Sequence, residues 1–285
     1  MNTDIFPILI DVIASTLEIS SIVFLMMILV DFFDVKTRGH IKSFIQKSRW
    51  NEYFTASFLG ATPGCLGTYM NVSMYMHGFL GMGAIASGMI ATSGDEAFVM
   101  LVRFPEKAIL LFILLFVLAL PAGRLFDFIA EKFKISRCSD CTMHTIHKQD
   151  TERNYKHYFT VHIWQHIFKK HVTRIILWTF FSLLAINITL LYFPIGTFVE
   201  QHVFWIILSA VLIGIIPESG PHLVFVSLFA SGVVPFSVLL TSSIAQDGHG
   251  MLPMLSYSLR DSIIIKSYNI LFALGVGWVS LLVGF

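Results

Sequence analysis

Apolar runs separated by two basic stretches organise the chain. Residues 5–33 form a first apolar run with no Lys or Arg. A hydrocarbon core about 30 Å thick takes roughly 20 apolar residues per spanning helix, so this run predicts a span. It lacks a basic start and a small-residue cleavage site and is too long for a signal peptide, so it is expected to be retained. Residues 53–122 form a long apolar stretch broken by Gly and Pro between Gly60 and Gly64 and again around Gly94. It reads as three pieces, 53–72, 77–102 and 106–122. A polar segment, 124–174, follows. Then come runs at 175–194 and 202–217, a broken stretch at 223–257, and a last run at 263–285.

Composition agrees with this pattern. Hydrophobic residues make up 55% of the 285, Phe alone counts 27, and charged residues are 13%, against about 25% in a soluble domain. A soluble globular enzyme and a disordered chain are excluded. A net charge of +1 gives no field to gather nucleic acid. Three Cys cannot make a disulfide scaffold. The chain reads as an all-α polytopic membrane protein whose expected surroundings are the lipid bilayer.

The basic residues set the expected topology. Lys36, Arg38, Lys42, Lys47 and Arg49 form one basic loop, and ten of the 19 Lys and Arg lie in 124–174. The positive-inside rule puts both in the cytoplasm, with the two chain ends outside. An even number of crossings must then lie between them, although three apolar pieces do. Making the middle piece a re-entrant hairpin, broken at Ser93-Gly94-Asp95, reduces the count to two.

The second half repeats the first. Gly60-Ala-Thr-Pro63-Gly64-Cys65 matches Gly214-Ile-Ile-Pro217-Glu218-Ser219, and Asp95 and Asp247 follow the two prolines by 32 and 30 residues. Each acid sits in a small-polar interruption, with Asp95 and Glu96 in one and Asp247 and His249 in the other. The chain therefore divides into a first repeat (1–123), a cytoplasmic linker (124–173) and a second repeat (174–285). Each repeat is expected to hold about three spanning helices and a broken hairpin, some ten hydrophobic segments in all. An odd number of crossings per half makes the halves inverted, the plan of many secondary transporters. Gly60, Pro63, Gly64 and Gly94 are the expected hinge positions of the first half. Gly214, Pro217, Gly220, Pro221, Gly248 and Gly250 are those of the second.

Ionisable residues inside a bilayer cost several kcal/mol, so they mark pathways. Glu18 lies deep in the first run among Ser and Thr, while Asp11 lies nearer its outer end and Asp31 and Asp34 nearer the cytoplasmic one. Asp95, Glu96, Asp247 and His249 are expected ligands at the two breaks. Glu218, His222 and Glu18 are expected further ligands or proton carriers. Arg103, Lys107, Arg260 and Lys266 read as helix-end residues that snorkel. What remains is an acid-rich cavity with imidazole, which suits Mn²⁺, and also Zn²⁺ or Fe²⁺, as substrate. Exchange for protons is a natural coupling mode for such groups.

The linker holds Cys138, Cys141, His144 and His147 as C-x2-C-x2-H-x2-H. Four such ligands in ten residues resemble a structural or sensing metal site. On a helix they would not converge, so only an irregular loop could use them. A polar linker with incidental ligands explains them equally well.

The segments around Gly60–Cys65, Ser93–Met100, Pro217–His222 and Gln246–Gly250 resemble the signature segments of the ten-segment heavy-metal exporters, a prokaryotic family also labelled arsenic efflux proteins or manganese transporters. The resemblance covers nearly all of both hydrophobic halves and implies metal efflux across a bacterial inner membrane. Trivalent arsenic would want thiols, and Cys65 is the one Cys within the apolar halves. The leading expectation is thus a secondary transporter exporting a divalent cation, Mn²⁺ first, by alternating access. It would carry no covalent cofactor and bind no nucleic acid, and a homo-oligomer is left open. An arsenical or organic-anion carrier is the alternative. A membrane-embedded metal-dependent enzyme is a weaker one, because no H-E-x-x-H or G-x-S-x-G occurs. With no Walker motif present, ATP is not the direct driver.

Overall fold

A computed structural model describes residues 9–14, 16–17, 21, 48–76, 78–135, 176–177, 180–181, 184, 188, 195–217, 220–251, 254–255 and 258–284. Helices are the regular structure throughout these residues. Those described in the first apolar run, including Asp11, are helical. Glu18, Asp31, Asp34, His77, Glu218 and the linker set Cys138, Cys141, His144 and His147 lie outside the described residues, as does most of 175–194.

Five helices build the first half: α1 (Arg49–Gly60), α2 (Leu66–Met76), α3 (Met82–Ala91), α4 (Glu96–Arg103) and α5 (Pro105–Lys132). Ser48 caps α1 by accepting from the Trp50 amide. The chain then turns back, because α1 and α2 lie antiparallel. A Cβ on Gly67 would strike the Leu59 carbonyl, Asn71 Nδ2 donates to the Ala56 carbonyl at 2.8 Å, and Glu52 Oε2 accepts from the Gly81 amide at 2.9 Å. The last contact returns the chain to the start of α1. There α3 begins beside the far end of α5, with Asp127 Oδ1 accepting from the Gly83 amide at 2.9 Å and Oδ2 from the Tyr53 hydroxyl at 2.5 Å.

From that end, α3 and α4 run on to Phe104, where α5 starts back. The 22 residues Met82–Arg103 span about 33 Å at helical rise and are apolar enough to cross a membrane. The break at Ser93-Gly94-Asp95 lies within this segment, between α3 and α4, while α1 and α2 on either side of the turn at 61–65 fold back on one another.

The second half contains α6 (Ile195–Gly214, kinked at His202), a 3-10 turn (Gly220–His222), α7 (Leu223–Ala230), α8 (Phe236–Ala245), a second 3-10 turn (Gly248–Gly250) and α9 (Leu259–Val283). The halves correspond without a gap at a separation of 154 residues, that of Gly60 from Gly214 and Pro63 from Pro217. Helices α3 and α8 are both 10 residues long, and α5 and α9 start at 105 and 259. Thr92 and Gln246 end α3 and α8 with φ/ψ of −78/140 and −79/143. Gly78 and Gly232 have φ of 76° and 70°, Gly94 and Gly248 of 57° and 54°.

At this separation Asp95 and Asp247 are not partners. Asp95 matches His249, Glu96 matches Gly250, and Asp247 matches Ser93. Pairing the acids by chemistry alone misplaces the register by two positions. The left-handed backbone that ends each break, which suits Gly, sets it instead.

Contacts between the halves are reciprocal. Tyr75 at the end of α2 donates to Asp261 Oδ2 at the start of α9, 2.7 Å away. Phe229, 154 residues after Tyr75, packs edge-on against Phe104 at the start of α5, centroids 4.9 Å apart. Helix α9 thus starts at the end where α5 finishes, and the two run antiparallel, with Tyr268 donating to the Ala122 carbonyl at 2.6 Å.

Small residues make the inner faces. Gly123 of α5 meets Gly83 and Ser87 of α3, and Gly277 of α9 meets Thr241 of α8, the matching position. Without a hydrophobic gradient between helices in lipid, close backbone approach supplies the packing. The outer faces carry Ile109, Ile113 and Val117 on α5 and Ile263, Leu271 and Val279 on α9, all exposed. Within an 18-residue apolar window of each helix, 89% of the Met82–Arg103 segment is buried in protein, against 33% in α5 and 28% in α9. The broken segment is therefore the most enclosed of the three.

Candidate functional site

Two breaks in the first half lock together. The Gly64 amide donates to the Gly94 carbonyl at 3.1 Å, joining the 61–65 turn to the 92–95 turn. Gly64 has a φ of 94°, and a Cβ there would press on the Phe98 ring. Cys65 Sγ donates to Asp95 Oδ1 at 3.0 Å, and Thr68 and Thr92 share a hydrogen bond of 2.9 Å between hydroxyls. Asp95 and Glu96 are each 2% exposed. They sit where α4 starts, and its unpaired amides and dipole favour negative charge. The result is a buried group of two carboxylates, one thiol and two hydroxyls.

The second half builds a different chemistry on the same backbone. Asp247 is fully buried. Lys266 Nζ donates to its Oδ2 at 2.6 Å and to the Ala245 carbonyl at 3.0 Å. Asn269 Nδ2 donates to its Oδ1 at 2.7 Å. His222, also fully buried, shares a 2.9 Å hydrogen bond with Ser242 Oγ through Nδ1. Lys266 also acts electrostatically on His222, so His222, Asp247, Lys266 and Asn269 form one cluster, with Gln246 next to Asp247 in sequence at the end of α8. His249 lies in the 3-10 turn.

The two clusters approach one another. Gly250 of the second 3-10 turn packs so closely on Thr68 that a Cβ would overlap its methyl group. Thr68 is in turn bonded to Thr92, three residues before Asp95. Gly60 against Gly88 and Gly214 against Ala245 bring α1 and α6 equally close to the helices that carry the breaks.

Among the residues proposed from sequence, the structure thus brings Asp95 together with Cys65, Glu96 beside them, and Asp247 together with His222 through the Lys266 cluster. Among the described residues, no three of His, Cys, Asp and Glu form a group able to hold a metal ion. Pro63, Pro217, Gly220 and Pro221 lie in the turns that follow α1 and α6.

Lys266 is the main correction. Arg103, Lys107 and Arg260 are exposed near helix ends, as snorkelling residues should be. Lys266 lies seven residues past the start of α9, about 10 Å along the helix, with its side chain 11% exposed. That depth was readable from sequence and separates it from Lys107, two residues into α5. Asn269, Ser242 and Gln246 were missed as well, since a neutral polar residue in an apolar run gives little signal until its partner is known.

The chain matches the model of a family described as "Putative, 10TM heavy-metal exporter" over residues 5–173 and 170–283. No curated protein matches it, and no solved structure matches it.

Proposed function

The chain belongs to that family of heavy-metal exporters, and from this premise we propose that it exports a divalent metal cation as a secondary transporter and is not an enzyme. The observation that carries the reading is the pair of buried carboxylates, Asp95 and Glu96, at a helix break with a thiol and hydroxyls around them. Charge at such depth is retained for a ligand or a pathway. Asp95 and Cys65, already in contact, would supply a hard oxygen donor and a soft one, and Glu96 would join them only on moving toward them. Mn²⁺ is the first candidate, and Zn²⁺ or Fe²⁺ would use the thiol as well.

The antiparallel α5 and α9 and the reciprocal contacts support an inverted repeat, with α1–α2 and α6–α7 as re-entrant hairpins. Both breaks then lie at mid-depth, where backbone without regular pairing is tolerated against a protein-lined cavity. Rocking one half against the other would expose the site alternately, with protons as the counter-ion, in a bacterial inner membrane with the basic loops inside. An anion carrier is disfavoured, because the one lysine in this region is already paired with Asp247.

The test is flux of Mn²⁺ into proteoliposomes under an imposed pH gradient, read with a metal-sensitive dye. Asp95→Asn is expected to lower flux by at least about tenfold while the protein still inserts. Flux that is unaffected by Asp95→Asn and Glu96→Gln together would remove the site assignment. Cys65→Ser is expected to reduce Zn²⁺ flux more than Mn²⁺ flux.

A further inference from the structure

We propose that Lys266 is a tethered competitor for the exported cation: its ammonium occupies, on Asp247 and the Ala245 carbonyl, the seat that a divalent metal takes when Lys266 swings aside. This rests on the reading of the chain as a cation exporter and deepens it.

The seat is built for a cation. Ala245 is the last residue of α8, so its carbonyl is one of the unpaired oxygens at the negative end of that helix. Asp247 follows two residues later. Carboxylate and carbonyl oxygen are the donors that hard divalent cations prefer, and the ammonium sits on one of each.

More acceptors surround it than the lysine uses. His222 Nε2, Gln246 Oε1 and Asn269 Oδ1 are buried and have no hydrogen-bond partner among the described residues. Gln246 is 1% exposed, and His222 and Asn269 are fully buried. An unsatisfied buried polar atom costs about 1–3 kcal/mol. Several together, with Asn269 bonded to Asp247 and His222 close enough to Lys266 to feel its charge, point to a ligand that comes and goes. A metal in the ammonium's place would find two oxygens at once and further O and N donors beside them.

The first half lacks this device. Phe112 and Leu115 stand where Lys266 and Asn269 stand, and Ser93 stands where Asp247 does. The internal cation therefore serves the second break alone. Displacing it makes entry conditional on charge. A divalent cation out-competes an ammonium for a carboxylate, whereas a monovalent one gains little by the exchange. Lys266 would thus set both affinity and selectivity for double charge.

The charged and titratable groups around Lys266 come from every packed element. Asp247 faces it from the break after α8, and His222 from the turn before α7 interacts with it electrostatically. On its own helix Asp261 is held by Tyr75 of α2, and Tyr268 by α5. Helix α3 brings no charged side chain. Helix α6 carries Glu200 and His202 in the turn before Phe204, which stacks on Trp278 twelve residues beyond Lys266.

Equilibrium binding of Mn²⁺ to the purified full chain tests this. Lys266→Met is expected to bind about tenfold tighter than wild type, with slower turnover in proteoliposomes because release is no longer assisted. Na⁺ is expected to compete with Mn²⁺ in this variant and not in wild type. Lys266→Met/Asp247→Asn, which has no unpaired buried charge to disturb folding, should lose the gain. Should Lys266→Met fail to fold, Lys266→Arg carries the test, since a two-pronged guanidinium grips Asp247 harder and should weaken Mn²⁺ binding severalfold. Equal binding in wild type and in the folded Lys266 variants overturns the competitor role and leaves the exporter reading standing. A double variant that keeps the gain overturns Asp247 as the seat. A chain that moves no Mn²⁺, Zn²⁺ or Fe²⁺ in any form overturns both.

Discussion

The two helix breaks share a backbone and differ in charge. At 92–96 the chain buries two carboxylates beside a thiol. At 246–250 it buries one carboxylate whose two oxygens are taken by a lysine and an asparagine. The caps agree within a few degrees, and the glycine after each has nearly the same φ. A repeated backbone therefore supplies two matching breaks, and a few substitutions make one acidic and the other internally neutralised. Fold and chemistry vary independently here, because a side chain at a break faces its neighbours across the half rather than its own helix.

The sharpest break of this comparison is Lys266→Met against Phe112→Met at the matching position. Removing one partner of a buried ion pair costs about 3–5 kcal/mol, while an apolar swap of similar volume costs under about 1.5 kcal/mol. Thermal unfolding in detergent reads the difference, and equal losses would mean that Asp247 finds another partner. Next come Gly123→Ala and Gly277→Ala. A Cβ would lie 2.8 Å from the Gly83 carbonyl in the first and overlap Thr241 Oγ1 in the second. Overpacking of this kind costs about 1–3 kcal/mol in each half, and a loss confined to one half would deny that the halves pack alike. Smaller still, Gly94→Ala and Gly248→Ala each force a side chain into the left-handed region, at about 1–2 kcal/mol. Their equality tests the register that pairs Asp95 with His249. Gly275→Ala is the baseline, since nothing lies within 4 Å of its added Cβ and removing a helical glycine gains about 0.5–1 kcal/mol.

Much of the architecture was legible. The breaks at 61–65 and 92–95 coincide with Pro63 and Gly64 and with Gly94, whereas Pro121 and Gly123 sit within the continuous α5. Gly60/Gly214 and Pro63/Pro217 already stated the repeat. Asp95, Glu96 and Asp247 stood out because charge is scarce in apolar sequence. The antiparallel pairing of α1 and α2 was not legible, because hydropathy reports that a segment is buried and not whether it turns back. Lys266 was misread because a long flexible side chain can reach a helix end, and only its depth and its partner say that it does not.

What the sequence determined by itself is the set of things that depend on local chemistry: a membrane chain, helices interrupted at Gly and Pro, and acids buried at the interruptions. Tertiary structure alone decided that α1 and α2 pack antiparallel across the 61–65 turn. It also decided that Asp95 meets Cys65 and that Asp247 meets Lys266, 19 residues away. The physical reason is that hydropathy and helix breaking act residue by residue. The sign and partner of a buried charge depend on which helices pack together, and in this chain close contacts at small residues determine that.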